Sequence, residues 1–156
     1  MEHVIIYYSY SNNTKKLVER IASLIETDVI EITPRTPYSE NYQDVVDLGN
    51  DDKTKMIHPE LSKTTFALEK YKKVLLCSPT WWDDIAPCMY SFLDNNDLNG
   101  KQVALLTTHG GFACKNGKQS VSQYCPLTMK IDVSFDETIM ETPFEEVEDF
   151  VRKFFL

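Results

Sequence analysis

The amino-acid sequence predicts an α/β fold, a three-layer sandwich in which helices cover both faces of a five-stranded parallel sheet with the order 2-1-3-4-5. Short apolar runs alternate along the chain with helical patterns, and parallel strands need such helical crossovers. The first, third and fourth runs are continuously apolar, which is typical of central strands. The second run carries Glu31 and the fifth alternates with polar residues, which favours edge positions.

The amino-terminal part begins with a predicted strand at Val4–Tyr8, a β-branched and aromatic run. A helix from about Thr14 to Glu26 follows, because apolar residues recur there with the spacing of one helical face. The run Asp28–Ile32 predicts the second strand. Beyond it, prolines and polar residues predict irregular structure with one short helix at about Asn41–Leu48.

The central elements are a third strand at Val74–Cys77 and a helix that Pro87 opens and that continues through Leu93. A fourth strand is predicted at Val103–Leu106, and a helix from about Asn116 to Tyr124 follows it. These apolar runs are short and uninterrupted, so we expect their strands to be buried on both faces.

The carboxyl-terminal elements are a fifth strand at Met129–Val133 and a last helix that continues through Phe154. Thr142 and Glu145 have the spacing of a capping box, and Pro143 would occupy the first helical position. No internal repeat or linker interrupts the sequence. We therefore expect residues 1–156 to form a single domain.

Composition and charge narrow the classes of partner and compartment. The formal charge of −8 and the pI near 4.8 argue against nucleic-acid and anionic-membrane partners and favour a basic one. No apolar stretch reaches the roughly 18 residues of a membrane span, and the first residues lack the features of a signal peptide, so we expect a cytoplasmic protein. The cysteines show no CxxC or metal-ligand spacing, which predicts free thiols; they are Cys77, Cys88, Cys114 and Cys125.

Three loops would meet at the carboxyl ends of the strands, beside the switch point between strands 1 and 3, where such sheets bind ligands. They are Ser9–Thr14, Ser78–Pro87 and Thr107–Lys115. The first loop joins a strand to a helix N-terminus, so its backbone N–H groups and hydroxyls suit an anion. It contains neither GxxxxGK nor GxGxxG. The alternative is a simple helix cap and turn.

The second and third loops suggest a planar ligand. Trp81 and Trp82 are the only tryptophans of the chain and follow a buried strand directly, so they offer rigid stacking surfaces. The alternative is that one of them fills space under the following helix. Gly110 and Gly111 permit close approach of backbone N–H groups to a ligand. Cys114, which follows closely, is expected to be exposed and unreactive.

Three stretches resemble, in order and spacing, the phosphate loop and the two isoalloxazine-contacting loops of the flavodoxin family: YYSYSNNTKKLVERIA, SPTWWDDIAPCMYSFLD and TTHGG. The resemblance spans essentially the whole chain and includes the paired tryptophans of bacterial members. It implies a flavodoxin-like fold and FMN as the cofactor. The short connection from Val133 to Thr142 is similar to that of short-chain members, which lack a long insertion in the fifth strand.

The resemblance also implies which residues contact which part of FMN. The residues around the phosphate would be Ser9, Tyr10, Ser11, Asn12, Asn13 and Thr14. The residues that flank the ring would be Pro79, Thr80, Trp81 and Trp82, with Asp83 beside them. The residues along the pyrimidine edge would be Thr108, His109, Gly110 and Gly111. No catalytic residue and no metal site are expected.

The chain departs from the family pattern at three places. Asn12 replaces a glycine of the phosphate loop, and asparagine tolerates left-handed backbone geometry better than most residues. Asp83 and Asp84 stand where relatives have glycine after the tryptophans, which would put negative charge near the flavin, lower its reduction potential and restrict the backbone. His109 replaces a small hydroxyl residue; it would donate to a flavin carbonyl or, alternatively, face solvent.

Three functions remain open from the sequence. The leading one is an FMN-binding electron carrier, expected to be a monomer, that docks to a basic-surfaced reductase and a basic-surfaced electron acceptor. Acidic residues around the flavin loops would form the docking surface; they are Asp83, Asp84, Asp94 and Asp97. The second is an FMN-dependent NAD(P)H:quinone-type oxidoreductase. The third is an interaction domain that keeps the fold without flavin.

Overall fold

The computed structural model describes residues 2–41, 43–47, 57–136 and 139–156. The strands are β1 (His3–Tyr7), β2 (Asp28–Glu31), β3 (Lys73–Trp81), β4 (Asp84–Ile85), β5 (Gln102–His109), β6 (Leu127–Asp136) and β7 (Ile139–Met140). The helices are α1 (Asn13–Leu24), α2 (Pro87–Asn95), α3 (Gly117–Ser122) and α4 (Phe144–Phe155). Residues 43–47 are also helical, within the helix predicted at about Asn41–Leu48; Asn41 itself lies before the helix, and Tyr42 and Leu48 lie outside the described residues.

The sheet confirms the predicted order. Five parallel strands run β2-β1-β3-β5-β6, which is the order 2-1-3-4-5 of the five strands that the sequence predicts. Two short antiparallel additions were not predicted: β4 pairs with the end of β3, and β7 pairs with the end of β6. Each has two residues, too few to leave a periodic pattern in the sequence.

The core forms two layers because successive side chains of a strand point to opposite faces of the sheet. Val4 and Ile6 belong to the layer under α2 and α3, whereas Ile5 and Tyr7 belong to the layer under α1 and α4. All four side chains are almost completely buried. Within the described ranges, none of the helices combines the length and apolar character needed to cross a bilayer.

The start of α4 differs from its prediction. The helix begins at Phe144, its N-cap is Pro143, and no side chain caps it. The Thr142 hydroxyl oxygen instead accepts the backbone N–H of Ser134 at 2.9 Å. The predicted capping box is therefore wrong, because Thr142 is occupied in joining the chain before α4 to β6.

Candidate functional site

The first loop turns sharply from β1 into α1. Asn12 has φ 68° and ψ −2°, the left-handed conformation that glycine adopts most easily. Its carbonyl accepts the N–H of Lys16 at 2.9 Å, so it opens the helix, while its side chain makes no capping bond. Ser9 Oγ accepts the N–H of Lys15 at 3.1 Å. The loop therefore contains a helix cap, but Ser9 provides it and Asn12 provides only the turn.

The second loop is a tight hairpin rather than an irregular loop. β3 continues through Trp81, which pairs with Asp84 across a two-residue turn. Trp82 and Asp83 form that turn with φ 55° and φ 63°. Two successive positive φ values define a type I′ turn, which normally contains Asn-Gly. A left-handed residue other than glycine costs about 1–2 kcal/mol, least for Asn and Asp and most for a bulky residue such as Trp82.

The two tryptophans have different environments. Trp81 is partly buried and contacts three tyrosines edge-on, with ring centroids 5.9 Å from Tyr8, 6.2 Å from Tyr10 and 5.1 Å from Tyr38. Edge-on contacts of this kind stabilise the position of an aromatic ring by more than its burial alone does. Trp82 is 43% exposed. Trp81 therefore fills space in the fold as well as facing the site.

Asp84 is buried, with only 9% of its surface exposed. Its carboxylate accepts hydrogen bonds from the Ile85 N–H at 2.8 Å, the Ser120 hydroxyl at 2.8 Å and the Tyr90 hydroxyl at 2.7 Å. Burial, aided by this carboxylate, raises the pKa of Tyr90, so its phenol stays a donor. The prediction that Asp84 belongs to an acidic docking surface is wrong, because its side chain points inward to α2 and α3.

The third loop follows the end of β5 at His109 and packs against the hairpin. The N–H of Asn116 donates to the carbonyl of Asp83 at 2.8 Å. Cys114 is completely buried, so the prediction of an exposed thiol is wrong. Burial raises the pKa of this thiol to about 11, in spite of nearby Lys130. Gly110 and Gly111 are both exposed.

The three loops enclose a pocket of about 410 Å³ at the carboxyl ends of β1, β3 and β5, within the range of small-molecule sites. The predicted site residues that line it are Tyr10, Ser11, Asn13, Pro79, Thr80, Trp81, Trp82, Thr108, His109 and Gly110. The others, which lie outside this lining, are Ser9, Asn12, Thr14, Asp83 and Gly111. Ser9 and Asn12 shape the first turn, whereas the Thr14 hydroxyl contacts that of Thr108 at 2.9 Å.

Three lining residues were missed by the sequence reasoning: Val45, Val46 and Phe135. The valines lie in the short helix at 43–47, and Phe135 lies beyond the predicted end of the fifth strand. An apolar Val-Val pair inside a polar, proline-rich segment was the available signal. Their position at the pocket depends on tertiary contacts that local patterns do not encode.

The pocket combines apolar walls with unsatisfied polar atoms. In the part of the chain that the structure describes, its lining contains no lysine, arginine, aspartate or glutamate. Among the described residues, Thr80 Oγ1 and His109 Nδ1 are buried without a hydrogen-bond partner. Buried polar atoms normally have partners, so these two are suited to a ligand. The arrangement fits a planar ring with a hydrogen-bonding edge, joined to an anionic group at the N-terminus of α1.

Comparison with known proteins agrees with this geometry. A family model described as Flavodoxin matches residues 2–151. A structure from Bacteroides eggerthii, described as that of a candidate flavoprotein, superposes with a TM-score of 0.80 at 17% identity and covers 99% of this chain and 98% of its own. A comparison with curated protein sequences found no match.

Two further solved structures share the fold. A flavoprotein from Lactobacillus acidophilus, crystallised in complex with FMN, gives a TM-score of 0.74 at 21% identity, covering 96% of this chain and 97% of its own. Oxidised flavodoxin 2 from Bacillus cereus gives 0.54 at 19% identity, covering 99% and 97%. At these identities the likeness establishes the fold.

Proposed function

Because the chain belongs to the flavodoxin family, we propose that it binds FMN in the pocket between its three loops and carries electrons between redox proteins. The observation that carries this proposal is the pocket itself, whose described lining residues are uncharged and partly aromatic and come from all three loops that the sequence predicted. The FMN complex of the Lactobacillus relative supports the choice of cofactor. When bound, FMN supplies one- or two-electron chemistry, and the protein positions it and tunes its potential.

The phosphate of FMN would be held at the N-terminus of α1. Ser11 and Asn13 line the pocket there, and Asn12 keeps the left-handed turn that lets the loop curl around an anion. The helix α1 has twelve residues, and the positive end of its dipole lies at this loop. Among the described residues no cation lines the pocket, so backbone N–H groups and neutral side chains would stabilise the charge of the phosphate.

The ring would lie against the hairpin and the end of β5. Trp81 is held by its tyrosine contacts and offers a fixed apolar wall, while Trp82 offers a more exposed one. The unsatisfied Thr80 hydroxyl and His109 Nδ1 would bond to the polar edge of the ring. Gly110 at this edge is exposed, and its backbone N–H would donate to a ring carbonyl.

An electron carrier is favoured over an NAD(P)H-dependent reductase. A reductase needs room for a nicotinamide above the flavin ring, so that hydride transfer can occur. Val45, Val46 and Phe135 add further walls to a pocket already lined by Trp81 and Trp82. A pocket with these walls would enclose one planar ring and leave the edge of that ring exposed to a partner protein.

The partners would be a basic-surfaced reductase and a basic-surfaced acceptor, because the chain carries a formal charge of −8. With Asp84 buried, Asp83 is the acidic residue of the predicted docking surface that remains on the flavin loops, because Asp94 lies near the end of α2 and Asp97 lies between α2 and the start of β5, towards the opposite end of the sheet. We propose a monomer, and a cytoplasmic location that four free, buried thiols would tolerate.

The visible spectrum of the purified protein, with and without added FMN, tests the cofactor. We expect flavin absorbance nearly stoichiometric with protein after gel filtration. Absence of uptake would leave only the interaction-domain function. Riboflavin is the matched control ligand, since it lacks the phosphate and would bind more weakly if the first loop is an anion site.

Steady-state oxidation of NADH and NADPH with a quinone acceptor separates the carrier from the enzyme. We expect turnover only after a separate flavodoxin reductase is added. Rapid oxidation by the FMN-loaded protein alone would contradict the carrier assignment and support the oxidoreductase.

A further inference from the structure

The hairpin of β3 and β4, which carries both tryptophans, has few features of its own that would stabilise its conformation. β4 has two residues, and Trp82 and Asp83 replace the Asn-Gly that a type I′ turn prefers. A short two-stranded hairpin is marginal in water even with a favourable turn. Contacts from outside the hairpin must therefore hold it in place.

Those contacts converge on Asp84. The Tyr90 hydroxyl on α2 donates to one carboxylate oxygen, and the Ser120 hydroxyl on α3 donates to the other. The second oxygen also accepts the adjacent backbone N–H of Ile85. A buried carboxylate needs such donors, and hydrogen bonds to a charged group are stronger than neutral ones.

The same region joins the second loop to the third. Asn116, directly before α3, donates its N–H to the Asp83 carbonyl at 2.8 Å. Ser120 lies one helical turn further along and bonds to Asp84. Two successive residues of the hairpin are thus tied to the segment that follows the glycine pair, so both walls of the ring site share one anchor.

We infer that Asp84 is a positioning residue, whose buried carboxylate, held by Tyr90 and Ser120, fixes the tryptophan hairpin and the third loop in the conformation that receives the flavin ring. This inference rests on the proposed function. It predicts that the hydrogen bonds of Asp84 determine which fraction of the protein molecules has the conformation that binds FMN. The apparent dissociation constant rises in proportion as that fraction falls.

Two conservative substitutions test the inference, each with a matched control. Ser120→Ala and Tyr90→Phe each remove one donor to Asp84 and keep the remaining side chain. Ser122→Ala on the same helix and Tyr124→Phe, whose hydroxyl donates to Asp94, serve as controls. The readouts are FMN affinity from quenching of flavin fluorescence, and hydrogen exchange of the Asn116 amide in the FMN-free protein.

We expect Ser120→Ala and Tyr90→Phe to weaken FMN binding by up to about tenfold, which corresponds to the full loss of one charge-assisted hydrogen bond, and to speed exchange at Asn116. The two controls should match the original chain in both readouts. Unfolding midpoints are measured alongside, so that affinities are compared well below them. A lower midpoint with unchanged affinity and unchanged exchange would mean a merely structural role and overturn the inference.

The exchange measurement also separates this inference from the proposed function. If the original chain takes up no FMN, the cofactor assignment fails. Faster Asn116 exchange in Ser120→Ala and Tyr90→Phe would still support Asp84 as the residue that positions the hairpin. Unchanged exchange would then overturn that as well.

Discussion

The hydroxyl oxygens of Thr14 and Thr108 lie 2.9 Å apart, although 94 residues separate them in the chain. Thr14 is in the first turn of α1, and Thr108 is near the end of β5. Both residues are buried, and each hydroxyl has the other as its hydrogen-bond partner. This bond ties the first turn of α1 to the end of β5, where Thr108 lines the pocket.

We expect Thr14→Val to lower the free energy of unfolding by about 1–2 kcal/mol, because it leaves the Thr108 hydroxyl buried and unpaired. Thr14→Val combined with Thr108→Val should cost less than the sum of the two single substitutions, since no unpaired hydroxyl remains. Urea unfolding measures all three. Thr65→Val, at an exposed position, is the control, and strict additivity would contradict the shared bond.

Asn12 has the backbone conformation of a glycine, so its substitutions should separate turn geometry from side-chain chemistry. We expect Asn12→Gly to keep full stability and FMN affinity. Asn12→Ala should cost about 1 kcal/mol, because alanine is strained in the left-handed region. Thermal unfolding and FMN titration are the measurements. A weaker FMN affinity for Asn12→Gly would indicate that the asparagine side chain itself contacts the phosphate.

The order of the sheet could be predicted because burial on both faces leaves a direct trace in sequence. Val74–Cys77 and Val103–Leu106 are uninterrupted apolar runs and lie next to each other at the centre, whereas Glu31 marks an exposed edge. The turn at Asn12 was indicated by the family resemblance, which puts glycine at this position, and asparagine is among the few other residues that tolerate it. The strand order, in contrast, depends on the local sequence alone.

The hairpin and the burial of Asp84 could not be predicted in this way. Trp82 and Asp83 are not residues that signal a type I′ turn, because tertiary contacts outweigh their local preference. The donors to Asp84 come from two different helices, and an aspartate next to another aspartate ordinarily indicates a solvated surface. Phe135 reaches the pocket only because β6 is longer than its alternating pattern.

The same substitution at the two neighbouring tryptophans should have opposite effects. Trp81→Gly should lower the free energy of unfolding by about 3 kcal/mol, because it removes the ring that contacts three tyrosines and puts glycine in a strand. Trp82→Gly should raise it by about 1 kcal/mol, because glycine accepts φ 55° without strain. Guanidinium unfolding of both variants measures these two changes in the free energy of unfolding. Destabilisation by Trp82→Gly would show that its side chain contributes more than its backbone costs.

Asp83 places a negative charge on the turn beside the proposed flavin site. Asp83→Asn should raise the reduction potential of bound FMN, because added electrons then meet less repulsion. At about 10 Å in a water-like medium the interaction is ~0.4 kcal/mol, or roughly 20 mV for one electron. Spectroelectrochemical titration measures it. Glu69→Gln, before the opposite end of β3, should leave the potential unchanged.

The buried thiols should make the fold sensitive to alkaline pH. All four cysteines are free and buried, and burial raises the pKa of Cys114 and of Cys125 from 9.0 to about 11, and raises those of Cys77 and Cys88 further. The unfolded chain loses its thiol protons above about pH 9, while the folded chain keeps them. Stability is therefore complete below pH 9 and falls as the pH rises towards and beyond 11.

At pH 10, about one unit above the pKa of an ordinary thiol, the expected loss is roughly 1 kcal/mol for each buried thiol whose pKa is raised well above 10, such as Cys77 and Cys88. Urea unfolding at pH 7.5 and pH 10 measures it, and Cys88→Ala should reduce the difference between the two pH values by that amount. A thiol reagent such as Ellman's should leave the folded protein unmodified at pH 8 and label every cysteine in urea. Rapid labelling of the folded chain would contradict the burial of these side chains, because the reactive species is the thiolate and burial suppresses it.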